Sequence, residues 1–226
     1  MLYTTKVIGV KPIAKYTYEL AIERPNNYAF RAGQYTQVQI LDLIHSDAKG
    51  NSRQFSIASA PAETATLRFV FRQSGSGFKE TLVKSRSGDA VVIEAAAGSF
   101  LLPSVDAVSH VFVAGGVGIA PFMSVLQHMV MQGQPGIFTL VYGNQAPEYA
   151  AYLPFLKSLK SINRNFTLQE IYKKPTPELF AKLAEKRQEA VWWVVGPPPM
   201  VATAVHGLRS VGVHPNQIRS ESFTGY

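Results

Sequence analysis

From Tyr3 to about Glu94 the chain runs in short apolar segments punctuated by Gly, Pro, Asn and Asp: Val7–Val10, Tyr16–Ile22, Tyr35–Leu41, Gln54–Ala58, Leu67–Arg72 and Ala90–Glu94. Segments of this length and spacing predict antiparallel strands of a small barrel or sandwich. Leu67-Arg-Phe-Val-Phe alternates only in part, as a barrel strand packed on both sides should. Near residue 105 the pattern changes. Ser109–Ala114 reads as a buried strand, Gly115-Gly-Val-Gly-Ile-Ala-Pro121 follows at once, and Phe122, Val125, Leu126, Met129 and Val130 then recur at helical spacing. Strands over Ile137–Tyr142, Phe166–Tyr172 and Val191–Val195 alternate with helical segments near 147–161, 176–188 and 198–211. Alternation of this kind predicts a parallel sheet covered by helices. The expected fold is an N-terminal antiparallel β-barrel, residues 1–104, followed by an α/β domain with a parallel sheet, residues 105–226, with Pro103–Asp106 as the linker.

Composition narrows the function classes. The 226 residues are 46% hydrophobic and 16% charged, enough for two domains of roughly 100 residues each and unlike a disordered tail. The N-terminus lacks the apolar run of a signal peptide, and no segment reaches the roughly 18 to 20 apolar residues of a membrane helix. The expectation is a soluble, cytoplasmic monomer with no membrane partner. There are no cysteines, which excludes disulfides, thiolate zinc sites, a catalytic cysteine and a cysteine-ligated iron-sulfur cluster on this sequence. Electrons crossing it must therefore travel on an organic cofactor. The formal charge of +7 favours an acidic partner or a phosphate-bearing ligand. Nucleic acid is set aside because the basic residues are scattered and not interleaved with aromatics.

Three loops carry candidate chemistry. Gly116-x-Gly118 at a strand end offers backbone N–H groups to a dinucleotide pyrophosphate, and Pro121 suits the first turn of the helix that follows. A tight packing corner would show the same glycines. Tyr142-Gly-Asn144 and Gly196-Pro-Pro-Pro-Met200 end two further strands of the parallel sheet, where ligands of such sheets bind. In the first half, Arg53-Gln54-Phe55-Ser56 places a cation, an aromatic and a hydroxyl on one strand. Arg53 and Phe55 share a face there, although an ordinary strand with an exposed Arg reads the same way. Ser74–Thr81 is rich in backbone donors and leads into a helical turn, as an anion-binding loop does.

In order and spacing, Arg53-Gln-Phe-Ser, Ser76-Gly-Phe-Lys79, Ser87-Gly-Asp, Gly98-Ser-Phe100, Ala114–Pro121, Tyr142-Gly-Asn and Gly196-Pro-Pro-Pro-Met resemble the ferredoxin-NADP reductase family across essentially the whole chain. The resemblance implies FAD in the barrel and NADPH or NADH on the second domain. It matches Arg53 to the flavin phosphate, Phe55 to the aromatic that forms a flat wall against the isoalloxazine, with Gln54 between them on the cofactor-binding strand, and Ser56 to the ring nitrogen that takes hydride. It places Phe78, Lys79 and Thr81 in a second pyrophosphate loop. Gly116, Gly118, Pro121, Tyr142, Asn144, Gly196 and Met200 fall on the nicotinamide side. Ser56 and Glu221 are assigned to tuning the ring and relaying a proton, and Tyr226 to covering the flavin. Phe55 stands where Tyr is usual, and Val195 where many members have Cys. The implied activity passes hydride from NAD(P)H to flavin and single electrons to an acidic ferredoxin or flavodoxin. The rivals are an NAD(P)H:flavin reductase, an oxygenase reductase component and a non-catalytic nucleotide-binding subunit.

Overall fold

The structure is a computed structural model and describes residues 1–101, 109–132 and 137–223. Six strands come first: β1 (Leu2–Ala14), β2 (Thr17–Glu23), β3 (Tyr35–Ile40), β4 (Ser52–Ser56), β5 (Thr66–Arg72) and β6 (Ala90–Glu94), with α1 (Gly77–Lys84) between the last two. They pair antiparallel in the order β4-β3-β6-β1-β2-β5. The two edge strands meet through an Ile57↔Phe69 bridge and an Ala58 N–H donated to Arg68 O at 2.7 Å, which closes the sheet into a barrel. Closure removes the free edges that would template aggregation. Its interior is Leu20, Ile22, Val38, Phe55, Leu67, Phe69, Phe71, Val91 and Ile93, with Phe78 and Leu82 of α1 packed in as a plug. The alternating positions of β3, buried at Thr36, Val38 and Ile40, show the period of two that puts one face of a strand inside.

The second sheet is parallel throughout: β7 (His110–Gly115), β8 (Phe138–Gly143), β9 (Phe166–Ile171), β10 (Val191–Gly196) and β11 (Ile218–Ser222), in the order β11-β10-β7-β8-β9. The helices that alternate with these strands along the chain are α2 (Ala120–Gln132), α3 (Leu153–Ile162), α4 (Pro177–Glu185) and α5 (Pro198–Ser210). One face of the sheet, Val111, Val113, Val141, Trp192 and Val194, packs on Phe180 and Ala184 of α4 and Val201, Ala204 and Leu208 of α5. On the other, His110 stacks on Phe138 and accepts a hydrogen bond from Trp193 Nε1 at 3.2 Å. Burial lowers the His110 pKa, consistent with a neutral ring accepting that bond. The chain divides into two compact units, the barrel with α2 and the parallel sheet with its remaining helices. Helix α2 joins the barrel through Ser124 Oγ donating to Ser59 O at 2.7 Å and Gln127 Oε1 accepting from Arg68 at 2.7 Å.

Several elements differ in extent from the sequence reading. β1 is thirteen residues long where the apolar run marks only Val7–Val10, because its pairing with both β2 and β6 supplies the ladder bonds that side-chain pattern does not report. β4 begins at Ser52, two residues early, in register with Gln39. The helix expected near 147–161 opens as a separate turn at Pro147–Tyr149, and Tyr152, in the left-handed region at φ +59°, delays α3 to Leu153. β11 was not foreseen: its residues are mostly half-exposed or exposed, and Arg219, Ser220, Glu221 and Ser222 give no apolar signal. The proposed linker Pro103–Asp106 and Tyr226 lie outside the described residues. Among the described residues no helix is long and apolar enough to cross a membrane.

Candidate functional site

In the barrel, β4 delivers Arg53 and Phe55 to one side, and both meet Phe78. The Arg53 guanidinium lies 5.0 Å over the Phe78 ring, and Phe55 stacks on it at 6.1 Å. Phe55 is only 8% exposed and also edges Phe71, so its ring is part of the barrel core where an open flat wall was expected. The apolar interior opposite β4 draws the ring inward, an effect that strand alternation alone does not decide. Ser56, likewise 8% exposed, ends the strand; Gln54 points to the exposed face.

α1 begins beside this strand. Ser76 caps it, its Oγ accepting from Lys79 N, as its position before Gly-Phe-Lys-Glu suggests. Phe78 is fully buried, Lys79 is 5% exposed, and Thr81 Oγ1 donates to Gly77 O at 2.7 Å while accepting from Ile44 N at 3.0 Å. Burial, followed by the charges of Arg53, Lys49 and Arg72, pulls the Lys79 pKa down to about 8. Asp47, which the sequence reading did not single out, sits among these cations. Its carboxylate accepts from Arg53 Nη2 at 2.6 Å and from Phe78 N at 3.0 Å. The Phe78 and Lys49 amides, more than Arg53, hold its pKa down at about 2. An acidic residue in a polar loop carries no periodicity, so only its nearness to Arg53 in sequence hinted at a role. A cation beside a helix N-terminus is a donor set suited in kind to a phosphate.

In the parallel sheet, the connections leave β7 toward β8 on one side and return to β10 on the other, so the adjacent ends of β7 and β10 form the topological switch point. The three predicted loops lie at the ends of β7, β8 and β10. Gly116 adopts φ +54°, and Tyr142 Oη donates to its carbonyl at 3.3 Å. A side chain at Gly118 would overlap the Val195 carbonyl, so this glycine is required by packing, as a tight corner demands. Met200 occupies the space beside Gly115 and Gly196, locking the start of α5 to both strand ends. Pro121 is buried in the first turn of α2. At the end of β8, both polar atoms of the Asn144 side chain are buried without a hydrogen-bond partner. Such a deficit is costly and is what a polar ligand would relieve. Glu221 on β11 pairs with Val195 of β10, and burial raises its pKa.

A family model described as the oxidoreductase NAD-binding domain matches residues 112–206. The reductase component of propane 2-monooxygenase from Rhodococcus jostii is 27% identical over 239 aligned residues, covering 97% of this chain and 63% of that protein. Reductase component 2 of terephthalate 1,2-dioxygenase from a Comamonas species is 37% identical over 126 residues, covering 55% of this chain and 35% of that protein. The chain thus spans less than two thirds of either relative. Among solved structures, a ferredoxin NADP+ reductase from Neisseria gonorrhoeae, solved with bound FAD and NADP, superposes with a TM-score of 0.80 at 23% identity, covering 98% of both chains. The whole chain thus shares the fold of that ferredoxin NADP+ reductase, a barrel that precedes a parallel sheet with glycine-ended strands, and residues 112–206 match the oxidoreductase NAD-binding domain.

Proposed function

We propose that this oxidoreductase holds FAD on the barrel, takes hydride from NADH or NADPH bound at the parallel sheet, and releases single electrons to an acidic carrier protein of the ferredoxin or flavodoxin kind. The observation that carries the reading is the donor set around α1: the guanidinium of Arg53 and the Phe78 amide converge on one carboxylate, the contacts a flavin pyrophosphate would use. A bound flavin supplies the step from two-electron to one-electron chemistry.

The chain's own residues then have limited tasks. Arg53, Lys79 and the first turn of α1 hold anionic oxygens, and Ser56 offers a hydroxyl at the end of β4. The glycine turn of Gly116 and Gly118 and the unmet amide of Asn144 bind the dinucleotide. Glu221, with its raised pKa, keeps a proton closer to neutral pH than an exposed carboxyl does. No strong acid or base is called for. Tyr226 as a cover for the flavin and residues 1–104 and 105–226 as the two functional domains belong to the same proposal.

Curated relatives include reductase and electron-transfer components of oxygenases, which favours an oxygenase system as the destination of the electrons. The net charge of +7 favours an acidic intermediary. The test begins with the purified chain reconstituted with FAD and mixed anaerobically with NADH or NADPH. Bleaching of the flavin, followed by cytochrome c reduction that requires added ferredoxin and weakens with salt, supports the reading. Reduction of free flavin without any carrier protein moves it to a flavin reductase. A chain that takes up no flavin refutes it.

A further inference from the structure

The segment 43–51 lies across the beginning of α1 and is organised around Asp47. Asp47 Oδ1 accepts from Arg53 Nη2 at 2.6 Å and from Lys49 N at 2.9 Å, and Oδ2 accepts from Phe78 N at 3.0 Å. One carboxylate thereby bridges a guanidinium and a helix N-terminus, as a phosphate with two anionic oxygens would. The same guanidinium is drawn further into the segment, Nη1 donating to the carbonyls of Lys49 and Gly50, and also to that of Ser52 at the start of β4. The ion pair is nearly closed to solvent, with Asp47 4% and Arg53 12% exposed. Lighter latches hold the rest: Ile44 N donates to Thr81 Oγ1 at 3.0 Å, and His45 Nε2 lies 3.3 Å from Glu80 Oε2 on the surface. Gly77 lies against the His45 carbonyl so closely that no side chain would fit between them. With Lys79, Lys49 and Arg72 also bearing on this place, a single carboxylate is a small anion for the positive charge gathered there.

We propose that Asp47 is an internal stand-in for a phosphate oxygen, so that the 43–51 segment and the pyrophosphate of a dinucleotide flavin compete for Arg53 and the N-terminus of α1. Flavin then binds as this segment leaves, and it exchanges more readily than in a cradle that nothing else fills. The inference rests on the flavin assignment for its ligand, but competition for a pyrophosphate anion is testable without flavin.

The test is calorimetric titration of the purified, flavin-free protein with inorganic pyrophosphate, in the wild type and in Asp47→Asn. The amide keeps an oxygen for one of the two N–H groups, that of Phe78 or that of Lys49, while removing the charge, and the barrel core is untouched, so the fold is expected to survive. The variant should bind pyrophosphate at least about tenfold tighter. Equal or weaker binding, or no binding by either protein, overturns the proposal. Hydrogen exchange on the unmutated protein supplies an independent readout: saturating pyrophosphate should speed exchange at the Ile44 and Lys49 amides, whereas slowing there overturns it. The same two proteins are titrated with FAD and with riboflavin, which lacks phosphate. Asp47→Asn should tighten FAD and leave riboflavin unchanged. If pyrophosphate tightens but neither protein takes up FAD, the flavin assignment falls and the competition stands.

Discussion

The beginning of α1 and the glycine turn after β7 are both glycine-bearing loops that open onto helices, yet they meet their hydrogen-bonding demand in opposite ways. At α1 the chain supplies its own anion, and Asp47, Ser76 and Thr81 satisfy donors from within. At the parallel sheet the glycines interlock with Met200 and Val195, while the nearby Asn144 amide is left without a partner. A ligand arriving at α1 must displace a bond that already exists; one arriving at Asn144 would make bonds that are missing. The first arrangement weakens affinity and favours exchange, and the second rewards binding, because an unmade buried hydrogen bond costs more than an average one contributes.

The contrast breaks most sharply at the glycines. Gly118→Ala drives a methyl into the Val195 backbone at a strand end and should cost roughly 3 kcal/mol of stability in urea unfolding. Gly77→Ala meets the His45 carbonyl on a segment that can move aside, and should cost less than about 1 kcal/mol. Equal penalties would mean that the 43–51 segment is as fixed as a strand end.

Lys79 sharpens the picture at α1 through pH. Its folded pKa of about 8 lies below the ordinary 10.5, so the unfolded chain binds the extra proton between these values and stability rises with pH across that window. The rise should be on the order of 2 kcal/mol and should vanish in Lys79→Met, which also weakens pyrophosphate binding. At the parallel sheet, Asn144→Leu removes two unpaired buried polar atoms. It should stabilise the protein by about 1 kcal/mol while weakening NAD(P)H binding in a fluorescence titration. A destabilised variant would show that the amide is satisfied in solution. The smallest effect is expected at Glu221, whose raised pKa means that its contribution is fully present below 4.5 and is lost as pH rises through the folded value. Glu221→Gln should remove that dependence and shift stability near neutral pH by less than about 1 kcal/mol.

Much of the fold was legible because periodicity reports burial. Ala90–Glu94 was located to the residue, the parallel strands to within one residue at each end, and the switch from short strands to alternating strands and helices marked the two architectures. β11 escaped because an edge strand with polar side chains leaves no apolar trace, although its backbone pairs with β10 over five residues. Strand position and loop chemistry were enough to nominate Arg53, Gly118, Asn144 and Gly196 as candidates. Asp47 was not, because its role depends on where a flexible-looking loop lands.

Sequence alone determined the order of elements as far as α5, the lack of cysteine and the excess of positive charge, since these follow from composition and local pattern. Tertiary structure decided that Phe55 faces the barrel core, that Gly118 is held by contact with Val195, and that Asp47 lies between Arg53 and α1. Each of these depends on residues far apart in the chain approaching within bonding distance, and no local pattern encodes which distant atom a side chain will meet.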